Sequence, residues 1–456
     1  MHIDKGIELS DLSSKLDNLF ELAGQKISTI DKTWDPNQGT PVFTVNGQYT
    51  SRGWTEWTQG FQYGSAILQF EVSDDEAFLN LGRSATTQRM APHVTHTGVH
   101  DHGFNNVSTY GNLRRQMREG IVENNDWERH FYEMALKASG ATQAARWTSI
   151  KDGGGYIPSF NGPHSLFSDT IRTCRSLGLA HQLGHVLMGE NDLSISLLER
   201  MVQHAQSTAR FNVYYGEGRD AYDLRGRVVH ESIFNVNDGN YRCPSTQQGY
   251  SPFSTWTRGL AWVVTGYAEL LEFLEVVPDA EFEVCGGIAA VRTFMEKAAS
   301  ASADFFIDQA AALDGIPYWD TGAPGLSQMG DYLSVPAQPN NSYEPVDSSA
   351  AAICAQGLYR LGRYLGEPAG KRYRQAAIGV ASTLFDAPYL SENPNHQGLI
   401  LHSIYHRPNG WDHVPAGQAI PSGESSMWGD YHALELGLLL KRELEGKPYL
   451  TFFDKD

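Results

Sequence analysis

The run from Gln248 to Trp262 places an amide, a guanidinium and two indoles on a loop that leads into an apolar helical pattern. The charged group is Arg258 and the first indole is Trp256. Arginine presents a planar fork of donors that fits a carboxylate or vicinal hydroxyls, and indole faces cover the apolar C–H surface of a sugar ring. The run therefore suits an acidic sugar, although core aromatics with one structural arginine explain it equally well.

Two aspartates are candidates for acid chemistry. Asp101 lies between His100 and His102 in a loop between two helical segments, and Asp169 stands at the start of a helical pattern with apolar residues nearby. An aspartate in that second position is most often a helix cap, but its apolar neighbours would desolvate it, raise its pKa and let it donate a proton. Two carboxyl groups that face one pocket are typical of glycoside chemistry.

A metal site is the competing interpretation of the same loop. His93 and His96 lie just upstream of His100, Asp101 and His102, and imidazoles with a carboxylate are zinc ligands. A loop lacks the fixed i, i+4 spacing that makes a helical zinc motif specific, so we predict no metal and no cofactor.

The bulk composition excludes some partners. The chain has 456 residues, 41% of them hydrophobic, and a formal net charge of −18, with a pI near 5.3. A chain of this length buries a sizeable core, and its negative field opposes a nucleic acid backbone or an anionic membrane surface. We expect a globular protein that binds neither, working as a monomer or a homodimer.

The first residues and the cysteines indicate the cellular compartment. The first residues lack a basic region followed by an apolar stretch, and no window approaches the length of a membrane span. Four scattered cysteines form no C-x-x-C pair, which is typical of free thiols in a reducing compartment. We expect a soluble cytoplasmic protein, with the periplasm as the alternative if a signal peptide has been removed.

The elements that must position these residues are helices. Apolar residues recur at helical spacing in twelve segments, while strands are hard to find. The segments lie near 9–28, 57–72, 74–90, 107–119, 123–140, 166–184, 190–210, 255–276, 280–310, 347–366, 368–386 and 427–445. Six helical hairpins in a closed ring would account for them, so we predict an all-α (α/α)6 barrel forming one domain over residues 1–456. Long loops would surround one mouth; a two-domain helical protein or an open array is the alternative.

Ordered motifs across the chain resemble one family, the unsaturated glucuronyl hydrolases of glycoside hydrolase family 88. They span about Trp57 to Leu436, and their order is more specific than any one of them. The motifs are Trp57-Thr58-Gln59-Gly60-Phe61, His100-Asp101-His102-Gly103-Phe104, Asp169-Thr170, His230-Glu231-Ser232-Ile233-Phe234, Gln248-Gly249-Tyr250-Ser251, Trp256-Thr257-Arg258-Gly259, Trp319-Asp320, Asp347-Ser348-Ser349, Leu401-His402-Ser403 and Trp428-Gly429-Asp430-Tyr431.

The resemblance implies an (α/α)6 barrel enzyme and assigns roles to residues. Asp169 matches the family's general acid and base, and Asp101 matches the second acid at the reacting ring. The residues that match sugar-binding groups are Trp57, His100, His230, Gln248, Arg258 and Trp262. The implied partner is an oligosaccharide with a 4,5-unsaturated uronic acid at its non-reducing end, as polysaccharide lyases release. Its ring double bond would be protonated and hydrated.

Three other functions stay open. An unsaturated rhamnogalacturonyl hydrolase would share the barrel and the chemistry. A sugar epimerase on the same barrel would use paired histidines as acid and base, but it does not explain Asp101 and Asp169 in family order. A silent binding protein would keep the aromatic and arginine contacts without turnover.

The chain also departs from the family pattern. Arg172 follows Asp169 at a spacing that puts both on one helix face, and a contact between them would lower the pKa of the acid. Pro252 and Phe253 replace a polar pair in the loop that carries Gln248. An insertion-like stretch, residues 214–227, combines aromatic rings with charges of both signs, and a sugar-binding rim, an exposed hairpin and an oligomer contact are comparable interpretations of it.

Overall fold

The computed structural model describes residues 1–53 and 57–454. Fifteen α-helices lie within these residues, and every predicted segment overlaps at least one of them. They are α1 (Ser13–Thr33), α2 (Gln59–Ser73), α3 (Glu76–Arg89), α4 (Ala91–Val94), α5 (His102–Asn106), α6 (Asn112–Arg118), α7 (Asp126–Ala145), α8 (Thr170–Thr173), α9 (Arg175–Gln182), α10 (Leu197–Phe211), α11 (Thr257–Leu274), α12 (Ile288–Phe305), α13 (Ser348–Leu365), α14 (Lys371–Leu384) and α15 (Met427–Leu444).

Apart from the single-turn helix α4, the helices of the described residues form twelve rods, because two pairs of them are continuous. A π-helical turn over Val107–Gly111 joins α5 to α6, and α8 runs on into α9 through Cys174, which keeps helical dihedrals. Six rods form a closed inner ring in the order α2, α5–α6, α8–α9, α11, α13 and α15, with α15 packed against α2. The rods α1, α3, α7, α10, α12 and α14 pack outside them. The predicted all-α (α/α)6 barrel is confirmed.

Glycines let the inner rods approach closely. A Cβ atom on Gly60 of α2 would stand 2.3 Å from the carbonyl oxygen of Asn105, and one on Gly103 of α5 would stand 2.2 Å from that of Thr173. Any larger side chain at these crossings would force the rods apart. The ring is therefore tightest where residues flanking the predicted acids lie.

All six inner rods begin at the same end of the ring, which we call the mouth. Trp57, Asp101, Asp169 and Trp256 directly precede or begin the first turns of four rods and line one pocket. The other two inner rods, α13 and α15, use Asp347 and Trp428 near their own first turns to contact residues of the pocket lining. Six helix N-termini thus surround one cavity, and their dipoles favour negative charge there.

Short strands connect the rods, and one small sheet reaches the mouth. The strands are β1 (Pro41–Val45), β2 (Gln48–Ser51), β3 (Thr148–Ser149), β4 (Gly155–Tyr156), β5 (Ser165–Phe167), β6 (Leu187–Met188), β7 (Ser194–Ile195), β8 (Glu231–Phe234) and β9 (Tyr241–Ser245). The antiparallel sheet β5–β8–β9 pairs Leu166 with Ser232 and Ser232 with Pro244. It holds Asp169, which follows β5, beside His230, which precedes β8.

Some predicted boundaries are wrong. The segment 166–184 begins with strand β5 instead of a helix, and the first residues of 190–210 form the turn and the second strand of the β6–β7 hairpin before α10 starts at Leu197. Short strands inside polar loops carry too few residues to show an alternating pattern. No helix among the described residues is long and apolar enough to cross a membrane.

Candidate active site

A cavity of about 420 Å³ opens at the mouth of the ring. It collects residues from loops and rods that are far apart in the chain. Its lining is Trp57, Val99, His100, Asp101, Phe104, Phe160, Asp169, Gln247, Gln248, Trp256, Arg258, Trp262, Tyr405, His406, Asn409 and Trp411. Seven of the eight predicted site residues are therefore among the residues that line one pocket, and the eighth, His230, packs behind the wall.

His100 stands between the two carboxylates. Its Nε2 atom lies 3.7 Å from Oδ1 of Asp101 and 3.4 Å from Oδ1 of Asp169. All three side chains are buried, with at most 8% of each residue exposed. Oδ1 of Asp169 has no hydrogen-bond donor within the described residues. The arrangement is an imidazole between two carboxyl groups, at distances slightly longer than those of an ordinary hydrogen bond.

The pKa direction of Asp169 is the reverse of the sequence prediction. Burial raises the pKa of Asp101, and the charge of His100 offsets this only in part. Burial also acts to raise the pKa of Asp169, but the contact with His100, its charge and that of His230 outweigh it, so this pKa lies below its ordinary value. Burial lowers the pKa of His100, and the two carboxylates more than compensate and hold it above its usual range. A raised pKa for Asp169 in the free protein is therefore wrong.

Arg172 does not cause the lowered pKa of Asp169. Its Nη1 atom lies 2.7 Å from Oε2 of Glu269, and its Nη2 atom lies 3.3 Å from Oε2 of Glu435. The guanidinium therefore points into the ring, away from the mouth, because two buried carboxylates attract it there. The positive charge that acts on Asp169 comes from histidine.

His230 presents a neutral N–H group beside Asp169. Its Nδ1 atom accepts the backbone N–H of Gln247 at 3.0 Å, so the ring proton resides on Nε2. Burial lowers the pKa of His230 to about 4, although the charge of Asp169 opposes the shift, and the ring is uncharged at neutral pH. Nε2 is buried without an acceptor among the described residues. It is a hydrogen-bond donor that is available to a ligand.

Arg258 lines the pocket, but its donors already have partners. Nη1 donates to Oδ2 of Asp347 at 2.7 Å and to the carbonyl oxygen of Ile404, and Nη2 donates to the carbonyl oxygen of Tyr405 at 2.7 Å. Nη2 also donates to Oε1 of Gln248 at 3.2 Å. That bond fixes the amide oxygen of Gln248 and leaves the amide NH2 group for the pocket. Asp347 caps α13, which links this rod to the site.

Aromatic rings form one wall of the cavity. The ring centroid of Trp57 lies 5.0 Å from that of Trp428 on α15, in a stacked arrangement, and 5.7 Å from that of Phe104. Phe104 in turn lies 4.7 Å from the buried ring of Trp262. Flat apolar faces next to hydrogen-bonding groups are typical of sugar sites.

Several lining residues were not predicted. Phe104, Phe160, Tyr405, His406, Asn409 and Trp411 line the cavity as well. Phe104 ends the motif that contains Asp101, so its place in the cavity wall follows from the position of that motif. The residues from 405 to 411 lie in the long loop 387–426, where length alone indicated function but no spacing pointed to particular residues.

The upstream histidines hold structural hydrogen bonds. His93 Nε2 contacts Oε1 of Gln59 at 2.9 Å, and His102 contacts Oγ of Ser139 and the carbonyl oxygen of His96, both at 3.0 Å. Within residues 1–53 and 57–454, no group of three histidine, cysteine or acidic side chains has the arrangement of a metal site.

Curated proteins with similar sequences are named unsaturated glucuronyl hydrolases or unsaturated chondroitin disaccharide hydrolases. The chain is 26% identical over 413 residues to the unsaturated glucuronyl hydrolase of Bacillus sp. strain GL1, covering 89% of this chain and 91% of the relative. It is 24% identical over 397 residues to the unsaturated glucuronyl hydrolase of Formosa agariphila, covering 83% and 78%. No protein-family model matches the chain.

Solved structures share the fold. An unsaturated glucuronyl hydrolase specific for heparin superposes with a TM-score of 0.72 at 19% identity over 95% of this chain and 98% of its own. An unsaturated glucuronyl hydrolase variant from Streptococcus agalactiae complexed with dGlcA-GalNAc6S has a TM-score of 0.63 at 19% identity over 96% and 93%. The resemblance that the motifs predicted is confirmed by these relatives.

Proposed function

We propose that this chain is a glycoside hydrolase that removes a 4,5-unsaturated uronic acid from the non-reducing end of lyase-generated oligosaccharides. One observation carries the proposal: two buried carboxylates flank His100 in a cavity whose other walls are indoles and neutral hydrogen-bond donors. The similarity to unsaturated glucuronyl hydrolases over most of the chain supports it, and so does the neighbour that is complexed with an unsaturated disaccharide.

The reaction begins with a proton transfer to carbon. Nε2 of His100 lies 3.4 Å from Oδ1 of Asp169, close enough to pass a proton to it, and Asp169 delivers this proton to C4 of the ring double bond. The C4–H bond forms as the π bond breaks, and positive charge develops on C5 and the ring oxygen. The second acid, Asp101, stabilises this charge when it is ionised.

Water completes the hydration. It adds to C5 while Asp169, now a carboxylate again, accepts the proton that the water loses. The product is a hemiketal at C5, which opens to a ketone and leaves a hemiacetal at C1. Loss of the alcohol from that hemiacetal releases the shortened oligosaccharide, so the glycosidic bond breaks without direct displacement.

The substrate carboxylate needs donors in a protein whose net charge is −18. We assign this role to the amide NH2 group of Gln248, which lines the cavity while Arg258 holds its oxygen, and to the Nε2–H group of His230, which lies buried behind the cavity wall without an acceptor among the described residues. The surrounding helix N-termini add a favourable field. Arg258 then acts by fixing Gln248 and the loop at Tyr405, whereas Trp57 and Trp262 cover the apolar ring faces.

The experiment is an ultraviolet assay on a panel of unsaturated disaccharides prepared with lyases from chondroitin, hyaluronan, heparin, ulvan and pectin. Hydration removes the conjugated double bond, so absorbance falls only for this reaction class. We expect decay on at least one substrate and no decay with Asp169→Asn. An absence of decay on every member would overturn the proposal and favour an epimerase or a binding protein.

The alternatives of unsaturated rhamnogalacturonyl hydrolase and sugar epimerase receive no support from the relatives described above. The pectin-derived member of the panel tests the first, and product analysis of a saturated sugar by NMR tests the second. The disaccharide with the highest kcat/KM identifies the polysaccharide that supplies the substrate.

We also propose that the protein works in the cytoplasm. All four cysteines, Cys174, Cys243, Cys285 and Cys354, are free, which favours the cytoplasm over the periplasm. Cell fractionation would test this placement. The active assembly is a monomer or a homodimer, and sedimentation velocity distinguishes the two.

A further inference from the structure

Two exposed aromatic rings lie face to face beside the mouth. Tyr222 of the insertion 214–227 stacks on Phe253 with ring centroids 4.4 Å apart and planes 25° from parallel. Their exposed fractions are 49% and 45%. We call this pair the aromatic platform. It belongs to neither core cluster of the protein, so burial does not explain its order.

A buried arginine holds the aromatic platform together. Arg227 is 2% exposed, and its Nε atom donates to the carbonyl oxygen of Tyr222 at 2.7 Å while Nη1 donates to that of Pro252 at 3.1 Å. Its guanidinium also lies 3.8 Å from the ring centroid of Tyr214. One side chain thus fixes the two loops that carry the rings. A preorganised aromatic surface loses little entropy when a ligand binds.

The charges next to the aromatic platform already have partners. The carboxylate of Asp223 accepts the backbone N–H groups of Gly216, Glu217 and Arg219 at 2.7 to 3.0 Å. The guanidinium of Arg219 donates to the carbonyl oxygen of Phe211 and to the hydroxyl of Tyr241. The surface therefore presents flat aromatic rings and not unpaired charged side chains. Such rings suit the C–H face of a sugar ring.

The loop that carries Phe253 is continuous with the pocket. Gln247 and Gln248 line the cavity at its start, and Trp256 lines the cavity at its end. Asp320 anchors the middle of the loop by accepting the backbone N–H of Tyr250 at 2.8 Å. Tyr250 adds another half-exposed ring on the same loop. An oligosaccharide that leaves the pocket over this loop meets the aromatic platform next.

We propose that the aromatic platform binds the sugar units that follow the one attached to the unsaturated uronic acid, so that the protein favours oligosaccharides longer than disaccharides. The proposal rests on the proposed function, because it extends the same site. The ligand is the reducing-end continuation of the substrate chain, and its recognition depends on ring stacking instead of charge.

The test compares an unsaturated disaccharide with the unsaturated tetrasaccharide of the same polymer, using the best substrate of the panel. We expect Phe253→Ala and Tyr222→Ala to lower kcat/KM for the tetrasaccharide by about three- to tenfold and to leave the disaccharide within about twofold. Phe253→Tyr keeps the flat ring and should retain the wild-type ratio. Leu224→Ala is the matched control, since Leu224 is 53% exposed in the same insertion but has no flat face.

Each outcome has a separate meaning. An equal loss on both substrates, or no loss on either, overturns the aromatic platform as a sugar site while the disaccharide turnover of the wild type still supports the proposed function. A change in sedimentation coefficient caused by Phe253→Ala would assign the surface to a second copy of the chain and overturn the proposal. No turnover of either substrate by the wild type overturns the proposed function and this extension together.

Discussion

The mouth of the ring and its interior use the same types of side chain in opposite ways. Beneath the mouth lies a buried ion cluster of three arginines and three glutamates, which are Arg172, Arg175, Arg360, Glu269, Glu272 and Glu435. Each of these charges has an opposite charge within 3.3 Å. At the mouth, the equally buried carboxylates of Asp101 and Asp169 share a single imidazole, that of His100, at 3.7 and 3.4 Å. Buried charges that are paired with opposite charges hold a fold, and incompletely paired groups in a cavity are candidates for binding a ligand.

The largest expected effect is at the mouth. Asp169→Asn removes the group that moves the proton, so kcat should fall by about a thousandfold or more, with little change in the midpoint of thermal unfolding. The assay is the ultraviolet decay, with a thermal melt on the same preparation. If the variant kept a tenth of the activity or lost much of its stability, the idea that the mouth residues serve the reaction while the buried ion cluster stabilises the fold would be contradicted.

The converse change is in the buried ion cluster. Glu269 contacts both Arg172 and Arg175, so Glu269→Gln leaves these two buried guanidinium charges with the longer contacts to Glu435, at 3.3 and 3.6 Å. We expect the free energy of unfolding to drop by about 3 to 5 kcal/mol, as for other broken buried pairs. Urea denaturation measures the loss, and kcat per folded molecule should stay within about threefold. A variant that folds normally but is inactive would show that the cluster takes part in catalysis.

The pH dependence of stability should come from the interior. Burial raises the pKa of Glu272 to about 7, although Arg360 and the hydroxyl of Tyr449 act against the shift. Because the folded-state pKa exceeds the unfolded one, this stabilisation is complete below about pH 4.5 and is lost as the pH rises through about 7. Glu272→Gln should flatten the stability curve between pH 5 and 8 by on the order of 1 to 2 kcal/mol. An unchanged slope in urea titrations would refute this assignment.

The smallest expected effect concerns His230. Its pKa of about 4 means that the ring stays neutral over the working pH range. His230→Phe should therefore lower kcat/KM by about tenfold through the loss of one donor, and by the same factor at every pH from about 5.5 to 8. A factor that changes with pH would show that His230 titrates during the reaction. Profiles of the variant and the wild type, recorded in parallel, provide the check.

Much of the helical framework could be predicted because its signal is local. Twelve apolar stripes correspond to twelve rods, and Asp347 caps α13 as its position before an apolar stripe predicts. Strand β5 was missed because Leu166 and Phe167 fit a buried strand and a buried helical turn equally well. The sheet that holds Asp169 beside His230 depends on pairing with β8, which lies more than sixty residues away.

The sequence by itself determined the helical framework through its apolar spacing, and the resemblance of its ordered motifs to the unsaturated glucuronyl hydrolases predicted which side chains meet at the mouth. Only the tertiary structure set the state of those side chains. The pKa of Asp169 depends on the distance to His100, the direction of Arg172 depends on Glu269 and Glu435, and the donors of Arg258 depend on the path of the 404–405 backbone. Electrostatic interactions act through space over a few ångströms, so neighbours along the chain do not reveal them.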